Sequence, residues 1–427
     1  MTSDAHAPSP VAVRRVDPDN AAELDAVLDM DQLVWADDLR TPRSQALADT
    51  PGRAAWIASI DGEDAGIAAS WDVELSIPAG GGGASLRPVE GLTWVGVHPD
   101  HRRRGVLTAL IREHLRWTRD EQGRSISVLK ASEPGIYGRF GYGVTSSTVM
   151  SSFGRGTTFD APPAVRQVAD TTTLRTTTAG PEQGRRWHQL ARTCARTGAG
   201  HIVRSLPDCE RLLVDHPESR GPREPARLLW ATRDGHDVGA AHFHRTPTWT
   251  HGKPDGTVGV FFLISTDAGA RLAIAERLVD IDLMGTTEYW VAPDDALALW
   301  LPSPRSVGGS GMADNLWLRL VDLPVAVTER GHAADLDVVV EVRDRILTDN
   351  TGTWRWSATG GVGTCVDTAE GADITLDIGD LGAVWLGGQT LGARAAAGFV
   401  TEHRPGAVAE LDAALRTPVG PVGTIDF

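Results

Sequence analysis

Val95-Gly96-Val97-His98-Pro99-Asp100-His101-Arg102-Arg103-Arg104-Gly105-Val106-Leu107-Thr108 decides how this chain folds. It reads as a short apolar strand, a proline-containing turn, and a basic, glycine-bearing loop that opens a helix over Leu107–Trp117. A helix start leaves several backbone N–H groups without partners, and those groups hold anions well. Gly105 lets the backbone come close to a guest, while Arg102, Arg103 and Arg104 surround it with positive charge. The guest expected here is a pyrophosphate. The competing reading is a solvated basic turn.

The spacing Arg102-x-x-Gly105-x-Leu107 resembles the Arg-x-x-Gly-x-Gly/Ala acyl-coenzyme A signature of Gcn5-related N-acetyltransferases, with leucine in the last slot. Further on, the strand-like run Ser125–Leu129 leads into Lys130-Ala131-Ser132-Glu133-Pro134-Gly135-Ile136-Tyr137-Gly138-Arg139-Phe140-Gly141-Tyr142-Gly143. That cluster of glycine, proline and aromatic residues cannot be a regular helix. Together, Trp94–Thr108 and Leu129–Gly143 resemble the enhanced intracellular survival (Eis) family of acetyltransferases, the Tyr-Gly-Arg-Phe-Gly-Tyr-Gly segment being the more specific part. The resemblance extends to the far end, Thr424-Ile425-Asp426-Phe427.

A chain of 427 residues is too long for one ordinary core, so two or three domains are expected. The resemblance implies α/β and α+β architecture: two tandem Gcn5-related acetyltransferase-like domains followed by a sterol-carrier-protein-like domain. The boundaries expected are 1–160 for the catalytic domain, 161–305 for a second, non-catalytic copy, and 306–427 for the carrier-like domain. In the first region Ala54–Ile60 and Ala65–Val73 read as paired strands, and Ile77–Pro88, with four successive glycines, reads as a flexible connection. In the second, Val258–Ile264, Gly269–Ile281 and Glu288–Val291 repeat strand, helix, strand, but Asp267-Ala268-Gly269-Ala270 carries no arginine triplet and is expected not to bind cofactor. Leu316–Leu320 reads as the strand that opens the third region.

No apolar run is long enough to span a bilayer, and Met1–Pro10 lacks a signal-peptide pattern, so a cytoplasmic protein without a membrane span is expected. Cys194, Cys209 and Cys365 give neither a disulfide framework nor metal-ligand spacing. A net charge of −15 argues against general nucleic-acid binding. It suits either a polycationic substrate or simple solubility.

Acetyl transfer from a thioester to an amine requires an anchored cofactor and a polarised thioester carbonyl. The amine must also lose its proton, and the leaving thiolate must gain one. Arg102, Arg103, Arg104, Gly105, Val106, Leu107 and Thr108 would anchor acetyl-coenzyme A, and the backbone of Val95, Gly96 and Val97 would meet its pantetheine and carbonyl. Ser132 and Glu133 complete the cofactor set, Glu133 also ordering the loop before Tyr137. Direct attack needs no metal.

On composition Tyr137 and Tyr142 are equal candidates for general acid, and the resemblance selects Tyr137. No general base stands out, since His98 and His101 read as cap or surface groups. The resemblance implies that the terminal carboxylate, here that of Phe427, is the base. Asp426 and Asp37 (or Asp38) would draw in an amine substrate, and Trp35 would form an apolar wall.

The activity implied is acetylation of primary amines on an aminoglycoside-like multi-amine molecule or of lysine side chains, by a homo-oligomer that is hexameric in the family. The alternative is a hydrophobic-ligand or lipid carrier built on the last domain, with a vestigial acetyltransferase domain.

Overall fold

The computed structural model describes residues 10–35, 43–48, 50, 54–80, 82–303 and 311–422. Three sheets organise it. The first is eight-stranded, in the order Ala12–Arg15, Ala54–Ile60, Glu63–Pro78, Ala84–Val97, Ile126–Lys130, Leu316–Leu320 and Gly143–Val144, with Ile202–Arg204 paired onto Glu63–Pro78. The second, seven-stranded, runs Met312–Asp314, Ser147–Gly154, Met284–Val291, Gly256–Ser265, His236–Thr246, Arg227–Arg233, Thr173–Thr178. The third has five strands centred on Leu336–Arg343.

Two expectations need correction. Leu316–Leu320 does not open the third region. It lies antiparallel between Ile126–Lys130 and Gly143–Val144, inside the first sheet. All five of its residues are buried, which an interior sheet position requires of both faces. Ser147–Gly154, within 1–160, belongs to the second sheet. The sheets therefore exchange strands across the expected boundaries.

The other correction concerns Ile77–Pro88, which is mostly hairpin: Glu63–Pro78 and Ala84–Val97 pair continuously out to Pro78 and Ala84. Leu75 and Ile77 alternate into the core and hold the arm down, leaving only the glycine turn as loop.

One core joins the first and third sheets. Val73, Leu75 and Val128 from the first pack with Val338, Trp356 and Trp385 from the carrier-like region. Each such side chain contributes roughly 1.5–3 kcal/mol by leaving water.

Candidate active site

The strand Ala84–Val97 pairs in parallel with Ile126–Lys130 only at Glu90 with Ser127 and Gly91 with Val128. Beyond those pairs the two strands part. On its other side the register against Glu63–Pro78 slips between Ile67 and Ala69, opposite Trp94, whose φ of 48° is unusual for a side chain of that size. The bulge bends the strand just where the gap opens.

From Val97 the chain enters a short 3-10 turn, Pro99–His101, capped by His98, whose Nδ1 accepts from Asp100 N at 3.2 Å. Arg103 (φ 62°) and Gly105 (φ 89°) then take left-handed conformations before the helix Val106–Asp120. Gly105 is the N-cap, and no side chain caps the helix start. Those N–H groups are therefore available to a guest. Gly66 lets this end of the helix sit close on the sheet, because a Cβ there would lie 2.8 Å from Val106 Cγ1.

Gap, loop and helix start enclose a cleft of ≈ 620 Å³. Its wall contains residues 95–97, Arg102, Arg103 and residues 105–108 on one side, and Ser132, Glu133 and Tyr137 on the other. Trp35, at the end of the helix Ala21–Trp35, covers part of it. Arg104 is not in the wall: its Nη1 lies 3.1 Å from His101 Nδ1, and its Nη2 3.5 Å from Asp61. Asp37, Asp38, Asp426 and Phe427 lie outside the described residues.

Four wall residues were not singled out from sequence as site residues: Val34, His101, Ile136 and Arg139. Arg139 stands inside the quoted tyrosine motif and Ile136 directly precedes it, which was the available signal. His101, expected as a surface or cap group, is only 9% exposed. Val34 packs over Gly96, where a Cβ would lie 3.1 Å from its methyls.

The two tyrosines separate. Tyr142 is fully buried, its hydroxyl 2.8 Å from Ser127 Oγ, which lies 3.0 Å from His114 Nε2. Tyr137 lines the cleft, with its ring 6.5 Å from that of Trp317. Burial, aided by the Glu133 carboxylate, pushes its phenol up to about 12, so it stays protonated at neutral pH.

In the second fold the matching helix, Ala268–Val279, begins differently. Asp267 caps it, accepting from Ala270 N at 2.9 Å and pairing with Arg233. A carboxylate of the chain thus occupies the place that Gly105 leaves open in the first fold. Among the described residues no group of three or more His, Cys, Asp or Glu is arranged to hold a metal ion, and no helix is long and apolar enough to cross a membrane. All three cysteines are buried and unpaired.

Acetyltransferase (GNAT) domain models match residues 15–145 and 200–320, and a sterol carrier protein domain model matches 323–422. The chain is 36% identical over 358 residues to an uncharacterized N-acetyltransferase of Streptomyces avermitilis, covering 83% of this chain and 85% of the relative. It is 30% identical over 373 residues to N-acetyltransferase Eis of Mycobacterium tuberculosis, covering 85% of each. The crystal structure of Eis1 from Mycobacterium abscessus matches with a TM-score of 0.79 at 28% identity, over 97% of this chain and 100% of that one.

Two GNAT folds, a carrier-type third domain and an uncapped basic helix start beside a split strand pair define an acetyl-coenzyme A-dependent N-acetyltransferase. Within the GNAT superfamily the chain belongs to the Eis family.

Proposed function

We propose that this enzyme acetylates primary amines of multi-amine small molecules, of aminoglycoside type, or lysine side chains, by direct transfer. The observation that carries the mechanism is the position of Tyr137, a protonated phenol in the wall of the cleft. Arg102, Arg103 and the N–H groups at the start of Val106–Asp120 hold the diphosphate, and residues 95–97 and Ser132 flank the pantetheine. The amine nitrogen attacks the thioester carbon, the C–S bond breaks, and the departing thiolate takes the Tyr137 proton. Trp35 walls the acceptor side, and Asp37 and Asp426 add negative charge for a cationic substrate.

The amine proton goes to the carboxylate of Phe427. Support comes from where the chain runs before it. Val422 N donates to Ala199 O at 2.9 Å, and Pro421 packs on Gly388, which is itself pressed against Thr145. Thr145 N donates to Leu316 O at 2.8 Å, and Leu316 pairs with Lys130, two residues before Ser132. From Val422, five residues span at most about 18 Å. Family membership also supports a hexameric assembly, which light scattering tests.

The test is thiol release from acetyl-coenzyme A against aminoglycosides, polyamines and lysine peptides. Turnover with several multi-amine acceptors, lost on deletion of Phe427 or on adding residues after it, is the expected result. Turnover that survives both changes removes the carboxylate from the mechanism.

A further inference from the structure

The chain that follows the helix Ala407–Leu415 runs in a bed that leaves no room for a side chain at three points. The helix ends on Arg330, a buried guanidinium whose Nε donates to Trp385 O at 2.9 Å and whose Nη2 donates to Leu415 O. Beyond it, a Cβ on Gly387 would lie 2.8 Å from Thr417 Cγ2, and one on Gly388 would lie 2.8 Å from Pro421 Cδ. From the second fold, a Cβ on Gly200 would lie 2.9 Å from both Pro421 Cβ and Val422 N. Gly200 also has a φ of 90°, which glycine alone adopts readily. Glycines of two regions thus meet one short stretch of tail.

Polar ties hold the same stretch. Gly420 N donates to Asp294 Oδ2 at 2.8 Å, and Val422 N donates to Ala199 O at 2.9 Å. Pro421, between those two amides, is buried. Asp294 is exposed, lies just after the strand Met284–Val291, and makes no other hydrogen bond or ion pair among the described residues. The segment that meets Val422 is stitched to the first sheet in turn: Gly200 N donates to Ser76 O and Ser76 N to His201 O, each at 2.9 Å.

Chain ends fray unless something ties them down, and this one is tied from two sides until shortly before it stops. The second fold closes its own helix start with Asp267. Here it supplies an acceptor to the tail instead. The height at which Gly420 and Val422 are held decides where the last residues can reach, since five residues span at most about 18 Å.

We propose that Asp294 is a positioning residue for acetyl transfer. By holding Gly420 it sets the register of the tail, and so brings the Phe427 carboxylate to the amine whose proton it takes. The inference rests on that carboxylate being the base. The second acetyltransferase fold thereby takes part in a reaction carried out in the cleft of the first.

Amide hydrogen exchange in C-terminal peptides of the full chain reads the seat directly. Steady-state thiol release from acetyl-coenzyme A, with the multi-amine acceptor of highest turnover, reads its consequence. Gly420 and Val422 should be protected in the unaltered chain, and Asp294→Ala should speed exchange at Gly420 about fivefold, the weight of one hydrogen bond. The kcat should fall by a similar factor, with the KM for acetyl-coenzyme A and the unfolding midpoint unchanged. Asp294→Asn keeps an accepting oxygen and should restore most of the rate. Asp294→Ala should add nothing to the loss caused by deleting Phe427.

Two failures are distinguishable. If deleting Phe427 leaves turnover intact, the carboxylate is not the base and the role of Asp294 falls with it. If that deletion stops turnover while Asp294→Ala does not slow it, the base stands and only the role of Asp294 is lost. Unprotected amides at Gly420 and Val422, equal losses in Asp294→Ala and Asp294→Asn, or an Asp294→Ala loss that persists without Phe427 also overturn the proposal.

Discussion

Arg319 donates from Nε to the main-chain carbonyl of Phe140 at 2.9 Å, tying the strand Leu316–Leu320 to the turn that presents Tyr137. Gly141 (φ 83°) leaves the room, since a Cβ there would lie 2.8 Å from that Nε. On its other side Arg319 meets Asp344 at 2.5 Å, with both side chains out of solvent. Asp344 in turn accepts from Ile346 N and Leu347 N, each at 3.0 Å. The carrier-like region thereby helps to fix the turn that carries Tyr137. Asp344→Asn leaves a buried guanidinium uncompensated and should lower unfolding stability by roughly 3–5 kcal/mol. In protein that stays folded in the cold, turnover should fall while acetyl-coenzyme A affinity holds. Denaturant melts and steady-state kinetics check this, and an unchanged kcat would free Tyr137 from dependence on Asp344.

Tyr137→Phe removes only the phenolic hydroxyl from the cleft. A positioned general acid contributes on the order of 10²–10⁴-fold, so kcat should drop by that range while acetyl-coenzyme A affinity stays level. The phenol's upward shift to about 12 also has a sign in pH. Its neutral form is favoured in the folded state, so the acid survives the ordinary tyrosine range and is lost only as pH rises towards the shifted value. A kcat profile that falls near pH 10 would contradict this. Tyr142→Phe, in contrast, breaks the bond to Ser127 and should cost stability more than rate.

The three arginines of the loop are not equivalent. Arg102→Gln and Arg103→Gln should each weaken acetyl-coenzyme A about tenfold, the size of a charge-assisted hydrogen bond. The loss should shrink at high salt. Arg104→Gln should cost much less, because that guanidinium is turned to His101 and Asp61. Fluorescence titration ranks the three, and a dominant Arg104 would reverse the assignment.

That ranking was not legible from the triplet, where three identical side chains follow one another and only Arg103's left-handed backbone sends its neighbours to different sides. The helix behind the loop was legible because Leu110, Ile111 and Leu115 repeat at helical spacing. The strand Leu316–Leu320 was legible as a strand but not as a member of the first sheet, since alternation reports a buried face and not a partner. Arg319 misleads in the same way: an arginine amid leucines suggests a solvent-facing position, yet it is fully buried because Phe140, Leu320 and Asp344 satisfy it. The tyrosine motif was read through family resemblance, and the cleft it lines depends on the parting of two strands that no local pattern encodes.

His114 supplies a separate test of the packing behind the cleft. It is fully buried in the helix Val106–Asp120, and burial lowers its ring to about 3, against an ordinary value of 6.5. The folded protein therefore refuses a proton that the unfolded chain accepts. Stability is unaffected above the ordinary value and falls as pH drops from there towards the depressed one. Each such group can add up to about 1.4 kcal/mol per pH unit to that slope. His114→Gln should flatten the acid limb of stability against pH by an amount of this order, whatever it does to stability at neutral pH. His242 and His244, depressed for the same reason, should keep the remaining slope from vanishing. Urea melts across the mildly acidic range measure it. An unchanged slope in His114→Gln would mean that the ring is reached by water, and that the Ser127 and Tyr142 contacts behind the cleft are looser than their distances indicate.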